Sequence, residues 1–129
     1  MAWKRKGLDA ERALVRAFWA EGWAAVRVAG SGSSHYPSPD ILAGNRGRRL
    51  AIEAKVTVEN TKYFPQDEIK QLRYFANRFG AEAWIAVKFG NTPWAFFTLE
   101  DLRATPSSYV ATKDMVELKG LSFADVVNE

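Results

Sequence analysis

Two short apolar stretches, Pro39-Asp40-Ile41-Leu42-Ala43-Gly44 and Leu50-Ala51-Ile52-Glu53-Ala54-Lys55, decide the fold. The turn-forming residues Gly44-Asn45-Arg46-Gly47 lie between them, so the sequence predicts two antiparallel strands joined by a hairpin turn. Because side chains alternate along a strand, Glu53 and Lys55 share one face of the second strand. A carboxylate and an ammonium group therefore lie side by side on a strand that is otherwise apolar.

Asp40 lies at the start of the first strand, where its side chain is expected to reach the face that carries Glu53. Two converging carboxylates suit Mg²⁺, which takes oxygen ligands and keeps several waters. Beside such an ion, Lys55 would orient or help to deprotonate a bound water and stabilise a phosphate oxygen. A cross-strand ion pair on a solvated face would also explain Glu53 and Lys55, so the pattern alone leaves both interpretations open.

The order of these residues, Pro39-Asp40 and then Glu53-Ala54-Lys55 after a tight turn, resembles the PD-(D/E)xK nuclease superfamily. Hydrophobic periodicity along the chain predicts a helix, three strands, a second helix, two strands and small C-terminal helices. We therefore expect an α/β fold with a central mixed five-stranded sheet flanked by helices, as in restriction-endonuclease-like proteins. Residues 1–129 are expected to form a single domain, with a core at about 4–98 and a tail at 99–129 of uncertain role.

The first helix, expected at about residues 8–21, carries an acid on its apolar face. Leu8, Leu14 and Phe18 recur at helical spacing, and Glu11 falls among them. An unpaired carboxylate is costly on such a face, which points to a third acid of the metal site. The alternative is an acid placed in the first turn by the helix dipole.

The segment between the first two strands, residues 29–38, is rich in glycine and serine and precedes Asp40 directly. Its hydroxyl groups and backbone amides, those of Ser31 and Ser33 among them, could contact phosphates, whereas a flexible connector would also explain the composition. Further along, Pro65 and Gly80 bracket a predicted helix, in which Asp67 and Glu68 suit the positive end of the dipole.

Composition excludes several classes of protein. The chain has 129 residues, 47% hydrophobic and 26% charged, which is usual for a globular domain. It has no cysteine and one histidine, so disulfides and cysteine-ligated zinc are excluded. No apolar run has the length of a membrane span and no signal peptide precedes the domain, which leads us to expect a reducing, cytoplasmic location and no membrane partner.

Positive charge is concentrated in the half of the chain that holds Asp40 and Glu53. Residues 1–62 contain 11 Lys or Arg and 6 Asp or Glu, a net charge of +5, whereas residues 63–129 carry −2. A basic surface around an acidic metal site is what a phosphodiester substrate requires, although solubility alone would also account for it. The residues expected to bind DNA are Lys4, Arg5, Lys6, Arg12, Arg27, Ser31, Ser33 and Lys62.

Several segments together resemble the archaeal Holliday junction resolvase family, over about residues 4–98. They are Lys6-Gly7-x-x-x-Glu11-Arg12, Val26-Arg27-x-Ala29-Gly30-Ser31, Pro39-Asp40-Ile41-x-Ala43-Gly44-Asn45, Ile52-Glu53-x-Lys55, Phe75-x-x-x-Phe79-Gly80 and Ala86-Val87-Lys88-Phe89. The resemblance implies a Mg²⁺-dependent endonuclease, with Mn²⁺ as a substitute, that binds four-way DNA junctions as a homodimer and nicks two opposed strands. It also implies catalytic roles for Glu11, Asp40, Glu53, Lys55 and Ser31, the first three as metal ligands.

Two other functions stay open from the sequence. One is a related duplex endonuclease of the restriction or repair kind, which would share the metal site but read sequence or damage. The other is a non-catalytic nucleic-acid-binding module. For the homodimer, the sequence suggests an apolar interface formed by some of the aromatic residues of the last two strands, with part of the tail, whereas packing of all of them under the helices is the alternative. These aromatic residues are Trp84, Phe89, Trp94, Phe96 and Phe97.

Overall fold

A computed structural model describes residues 2–30 and 36–128, and within them the side chains from residue 6 onward. The elements follow one another along the chain as α1 (Ala2–Ala20), β1 (Ala24–Arg27), β2 (Ile41–Gly44), β3 (Arg49–Thr57), β4 (Thr61–Pro65), α2 (Gln66–Phe79), β5 (Glu82–Phe89), β6 (Ala95–Thr98), a 3₁₀ turn (Leu99–Asp101), β7 (Arg103–Ala104), β8 (Ser108–Thr112), α3 (Met115–Lys119) and α4 (Phe123–Asn128). Within these described residues no helix is both long and apolar enough to cross a membrane.

Five strands form one mixed sheet in the order β1-β2-β3-β5-β6. The β3–β5 pair is parallel and the other three pairs are antiparallel. The predicted α/β fold with a central mixed sheet is thereby confirmed. β3 lies at the middle of the sheet and pairs along its whole length, which fixes the positions of Glu53 and Lys55.

The predicted hairpin between β2 and β3 is present. Asn45 organises its turn, since its backbone amide donates to the Arg48 carbonyl and its side-chain oxygen accepts from the amides of Gly47 and Arg48 at 2.9 and 2.8 Å. The register pairs Gly44 with Arg49 and Ile41 with Ile52. This register brings the residue before β2, Asp40, alongside the middle of β3.

Hydrophobic cores lie on both faces of the sheet, and β3 contributes to each. Leu14 and Phe18 of α1 pack on one face with Leu50, Ile52 and Ala54. On the other face, the α2 residues Ile69, Leu72 and Ala76 pack with Ala51, Ile85 and Val87. The alternation expected for β3 is confirmed, and it directs Glu53 and Lys55 to the α2 side.

Four of the five aromatic residues suggested for an interface pack under the helices, which confirms the alternative for them. Trp84, Phe89, Phe96 and Phe97 are buried in the two cores, and Trp94 is partly buried against the first. The reason is that β5 and β6 belong to a sheet that is covered on both faces. Large apolar side chains are exposed elsewhere, among them Trp19, Val26 and Phe79.

A second, three-stranded antiparallel sheet, in the order β4-β8-β7, was not predicted. β4 follows β3 after a short turn and pairs with β8 from the C-terminal tail, placing Phe64 opposite Tyr109. Farther along the tail, Leu121 bridges to Phe96, and Val126 is fully buried. Residues 99–128, which belong to the tail whose role was uncertain from the sequence, thus complete the packing of both cores.

Capping residues are found at the ends of two helices, and Gly80 is one that the sequence predicted. Gly80 ends α2 in the left-handed conformation, with φ of 78°, and its amide donates to the Ala76 carbonyl. Ser122 precedes α4 and exchanges two hydrogen bonds of 3.0 Å with Asp125, a capping box. The first helix is longer than expected, since it begins at Ala2 and not near residue 8.

Candidate active site

Asp40 is held at the end of the sheet by its own backbone. Its carbonyl accepts from the Val28 amide at 2.8 Å, and its amide donates to the Ile52 carbonyl at 3.0 Å. Its side-chain Oδ2 accepts a hydrogen bond from the Ala54 amide at 2.9 Å. The Asp40 carboxylate is therefore fixed next to Glu53 and Lys55, as the sequence predicted.

Lys55 lies between two carboxylates from different elements. Its Nζ is 3.4 Å from Glu53 Oε2, on the same strand, and 3.1 Å from Glu68 Oε1, in the first turn of α2. These side chains line a cavity of about 270 Å³ between the sheet and α2. Its lining consists of Ser38, Asp40, Glu53, Lys55, Glu68, Gln71 and Leu72.

Crowding of negative charge in this cavity shifts the pKa values of its groups. Burial raises the pKa of Glu53 to about 9, with further increases from its hydrogen bond to Glu68 and from the Asp40 charge. Burial acts in the same direction on Glu68, but the hydrogen bond from Glu53 and the nearby Lys55 lower its pKa overall. At neutral pH the two carboxyl groups therefore hold one proton between them.

The pKa of Lys55 moves in the direction that keeps it charged. Burial alone would lower this pKa, but the carboxylates of Glu53 and Glu68 raise it above the ordinary value. The Lys55 side chain is therefore an ammonium group at neutral pH. It can donate hydrogen bonds and stabilise negative charge, but it is not a base in this state.

Glu11 approaches the same centre from the opposite face of the sheet. It lines an adjoining cavity of about 540 Å³ together with Asp40, Lys55 and Gly7. Burial raises the pKa of Glu11, and the Asp40 charge adds to this, whereas Arg27 and Lys55 act against it. Glu11 is thus brought together with Asp40 and Lys55, which also line the cavity that holds Glu68.

The donor set at this centre fits a hard divalent cation. In residues 2–30 and 36–128, no three acidic or histidine side chains converge closely enough to enclose a metal ion. Mg²⁺ does not require such a cage, since proteins usually hold it through one or two carboxylates and waters. Asp40 and Glu53 line one cavity, and Glu68 Oε1 in that cavity is a buried carboxylate oxygen that receives no well-aligned hydrogen bond.

The residues expected to bind DNA are distributed around this centre. Lys6 and Arg12 are exposed on α1, and Arg27 and Lys62 are half-buried. Arg27 acts electrostatically on Glu11, and Lys62 on Glu68, so both cations lie near the acidic groups. The side chains of Lys4 and Arg5, and all of Ser31 and Ser33, lie outside the described residues, so their predicted contacts stay predictions.

Sequence reasoning did not place Glu68, Ser38 or Gln71 among the lining residues of the site. Glu68 was read as a first-turn acid suited to the helix dipole, which its position in α2 also satisfies. Helical spacing gave a signal that could have found it. Glu68 lies four residues before the buried Leu72, so both face the sheet.

A mixed sheet that carries Asp40 beside Glu53-Ala54-Lys55 at its centre defines a fold of the PD-(D/E)xK nuclease class. The family model described as archaeal Holliday junction resolvase (Hjc) matches residues 2–129. The chain belongs to this family.

Relatives of known name support the assignment along nearly the whole chain. Crossover junction endodeoxyribonuclease Hjc of Archaeoglobus fulgidus is 43% identical over 126 residues, which cover 98% of this chain and 92% of that protein. Crossover junction endodeoxyribonuclease Hje of Saccharolobus islandicus is 33% identical over 118 residues, 87% of each chain. The solved structure of A. fulgidus Hjc, described as a Holliday junction resolvase from an archaeal hyperthermophile, superposes with a TM-score of 0.87 at 42% identity, covering 94% of this chain and 99% of that one.

Proposed function

We propose that this protein is an endonuclease that resolves four-way DNA junctions by paired, Mg²⁺-dependent nicking of opposed strands. The observation that carries the proposal is the meeting of Asp40, Glu53 and Lys55 in one cavity of a chain that belongs to the junction resolvase family. The names of the relatives, crossover junction endodeoxyribonucleases, give the substrate class.

Asp40 and Glu53 are the residues proposed to hold the metal ion, with Mn²⁺ as a substitute for Mg²⁺. When bound, such an ion neutralises charge on the scissile phosphate and activates a water for in-line attack. The protein itself contributes a rigid frame, since Asp40 is fixed by three hydrogen bonds and Glu53 by a strand paired on both sides. Glu11 is proposed as an additional acidic ligand or support, which approaches from the α1 face.

Lys55 is proposed to orient the attacking water and to stabilise the phosphate oxygens. Its raised pKa supports this function, because a permanently charged ammonium group donates hydrogen bonds to a developing oxyanion. Another group or bulk solvent then accepts the proton from the attacking water.

A homodimer is proposed as the working unit, because one chain offers one Asp40–Glu53–Lys55 centre and two opposed nicks require two centres. The surface proposed for pairing is an apolar face on the outer strands of the sheet, beside the end of α2. Trp19, Val26 and Phe79 are 58%, 55% and 50% exposed there. The groove between them is lined by Trp19, Ala24, Ala25, Val26, Leu42, Ala43, Gly44, Arg49 and Phe79.

An immobile synthetic junction tests the proposal. The protein is incubated with the junction, and separately with its component duplexes, in Mg²⁺ and in chelator, and the nicks are mapped on each strand. Symmetric nicks on opposed strands of the junction alone, dependent on Mg²⁺, are the expected result. Equal cutting of the duplexes would favour the duplex endonuclease, and binding without any nicking would favour the non-catalytic module.

Asp40→Ala and Glu53→Ala should abolish nicking and leave junction affinity within about threefold of wild type, because affinity comes mainly from contacts of Lys and Arg to phosphates. Glu117→Ala, an exposed acid on α3, serves as the matched control and should nick normally. A nicking rate near wild type in either Asp40→Ala or Glu53→Ala would contradict the proposed role of that carboxylate in holding the metal ion.

A further inference from the structure

Glu68 differs from the other acid in the first turn of α2. Asp67 and Glu68 both suit the positive end of the helix dipole, but Asp67 is exposed, whereas the side chain of Glu68 is only 28% exposed and lines the cavity with Glu53 and Lys55. The buried stripe of α2 explains this direction, since Ile69 and Leu72 pack towards the sheet and Glu68 lies at the edge of the same stripe. A dipole effect alone would leave both acids in solvent.

Glu68 makes the shorter of the two ion pairs of Lys55. Lys55 Nζ lies 3.1 Å from Glu68 Oε1 and 3.4 Å from Glu53 Oε2. Glu68 Oε1 is buried and accepts no well-aligned hydrogen bond. The contact between Lys55 and Glu68 is therefore held by charge attraction, which is stronger where solvent is excluded. The two carboxylates belong to α2 and β3, and Lys55 therefore ties the helix to the central strand.

We propose that Glu68 is a positioning residue for cleavage, which holds the Lys55 ammonium group at the place where the scissile phosphate and water meet. This inference rests on the proposed function. The Lys55 side chain has four rotatable bonds, and one carboxylate on its own strand does not define its direction. A cation bound by Glu53 would neutralise the charge of that partner, which leaves Glu68 as the anchor of the lysine.

Three variants test the proposal in the full-length protein. Glu68→Gln keeps the shape and removes the charge, Glu68→Asp keeps the charge on a shorter side chain, and Asp67→Asn is the matched control in the same helical turn. We expect Glu68→Gln to lower the single-turnover nicking rate by about 10- to 100-fold, the range for a misplaced catalytic group. Junction affinity and melting temperature should stay near wild type, and Glu68→Asp should retain more activity than Glu68→Gln.

A second measurement needs neither DNA nor metal. In chelator, an amine-acetylating reagent modifies lysines at rates that can be followed by mass spectrometry of peptides. Loss of the anchor should increase the modification rate of Lys55 by about threefold or more in Glu68→Gln, because a paired ammonium group is protected. Lys70, an exposed lysine on the same helix, serves as the internal reference. A helix-stabilising role for Glu68 would leave this ratio unchanged.

The two measurements separate failure of the inference from failure of the proposed function. If the wild-type protein nicks junctions and Glu68→Gln nicks as fast as Asp67→Asn, the inference is overturned and the function stands. If the wild-type protein nicks no junction, the proposed function is wrong, and with it the role in cleavage. The labelling ratio then still decides whether Glu68 anchors Lys55.

Discussion

Glu53 and Glu68 line the same cavity beside Lys55, and at neutral pH the two carboxyl groups together carry one negative charge. Burial raises the pKa of Glu53, and the hydrogen bond that it donates lowers the pKa of Glu68, so the pair carries one proton between them in the metal-free protein. A bound cation would replace that proton. Metal binding at this site should therefore release a proton and become stronger as the pH rises.

Glu53→Gln in the metal-free protein should change how the stability of the protein depends on pH. A group whose pKa is raised by folding contributes stability below its unfolded value, 4.5, and loses that contribution as the pH rises towards the folded value of about 9. The wild-type protein should thus lose stability on alkalinisation. The variant keeps a donor to Glu68 without the titration, and it should be more stable near the alkaline end by on the order of 1–2 kcal/mol.

Urea unfolding of both proteins in chelator at about pH 5 and about pH 9 measures this difference. Glu117→Gln is the matched control, since it removes an exposed acid on α3. A difference between wild type and Glu53→Gln that does not grow with pH would contradict the shared proton.

Sequence reasoning found Asp40, Glu53 and Lys55 because a hairpin and the alternation of side chains are local rules. Glu11 could also be found, since a carboxylate on an apolar helical stripe needs a partner. Glu68 could not be assigned in the same way. Its partner, Lys55, comes from another element, and only the packing of α2 on the sheet brings the two together.

Among the elements, β3 was predictable and β7 was not. β3 has a long apolar pattern and turn residues before it, whereas β7 has two residues, both exposed, and exists through its pairing with β8. β4 ends in a proline and mixes polar with aromatic residues, which hides its strand character. The second sheet is therefore a product of tertiary pairing, which single-sequence patterns do not contain.

Arg48 connects β5, α4 and the loop before β1. Its guanidinium donates to both oxygens of Glu82 at 2.8 Å and to the Val126 carbonyl, and it lies 5.3 Å from the centre of the Trp23 ring. Arg48→Gln should destabilise the protein by about 2 kcal/mol near neutral pH, mainly through the lost carbonyl and ring contacts. The Glu82 carboxylate is partly exposed, so its ion pair is discounted for screening by solvent.

The pH dependence of this variant has the opposite sign to that of Glu53→Gln. The hydrogen bond from Arg48 lowers the pKa of Glu82, so its contribution is present above the unfolded value of 4.5 and is lost as the pH falls. The difference in stability between wild type and Arg48→Gln should become smaller at acidic pH. Thermal unfolding at neutral and acidic pH measures it, with Arg46→Gln, an exposed arginine of the same turn, as the control. Equal melting temperatures for Arg48→Gln and Arg46→Gln would contradict the stabilising role of the Arg48 contacts.

The basic half of the chain predicts steeply salt-dependent binding to DNA. If Lys6, Arg12, Arg27 and Lys62 each contact a phosphate, the slope of log affinity against log salt should be about −4. Lys62→Gln and Arg12→Gln should each make the slope shallower by about 1. Fluorescence titration of a labelled junction over a salt series measures it, and Lys119→Gln, an exposed lysine on α3, should change nothing. A junction affinity that does not change with salt concentration would contradict binding through these charged residues.

The homodimer gives the last prediction. Light scattering should report twice the chain mass of 14.5 kDa at micromolar concentration. Val26→Glu and Phe79→Glu place charge on the proposed pairing face and should give monomers that no longer nick both strands. Leu118→Glu is the matched control, because this leucine is 85% exposed on α3, away from that face. A wild-type protein that stays monomeric on a junction would defeat the prediction.

The parallel pairing of β3 with β5 determines when, during folding, the cavity comes into existence. Each β3 residue pairs with one that follows it by 32 positions, as Leu50 does with Glu82, so this contact carries the entropy cost of closing a long chain segment. The β2–β3 hairpin closes a short loop and brings Asp40 to Glu53 early. Glu68 arrives only when α2 docks, so the acidic pair of the hairpin is assembled before the anchor of Lys55. During synthesis, Asp40 and Glu53 leave the ribosome before β5 has been made.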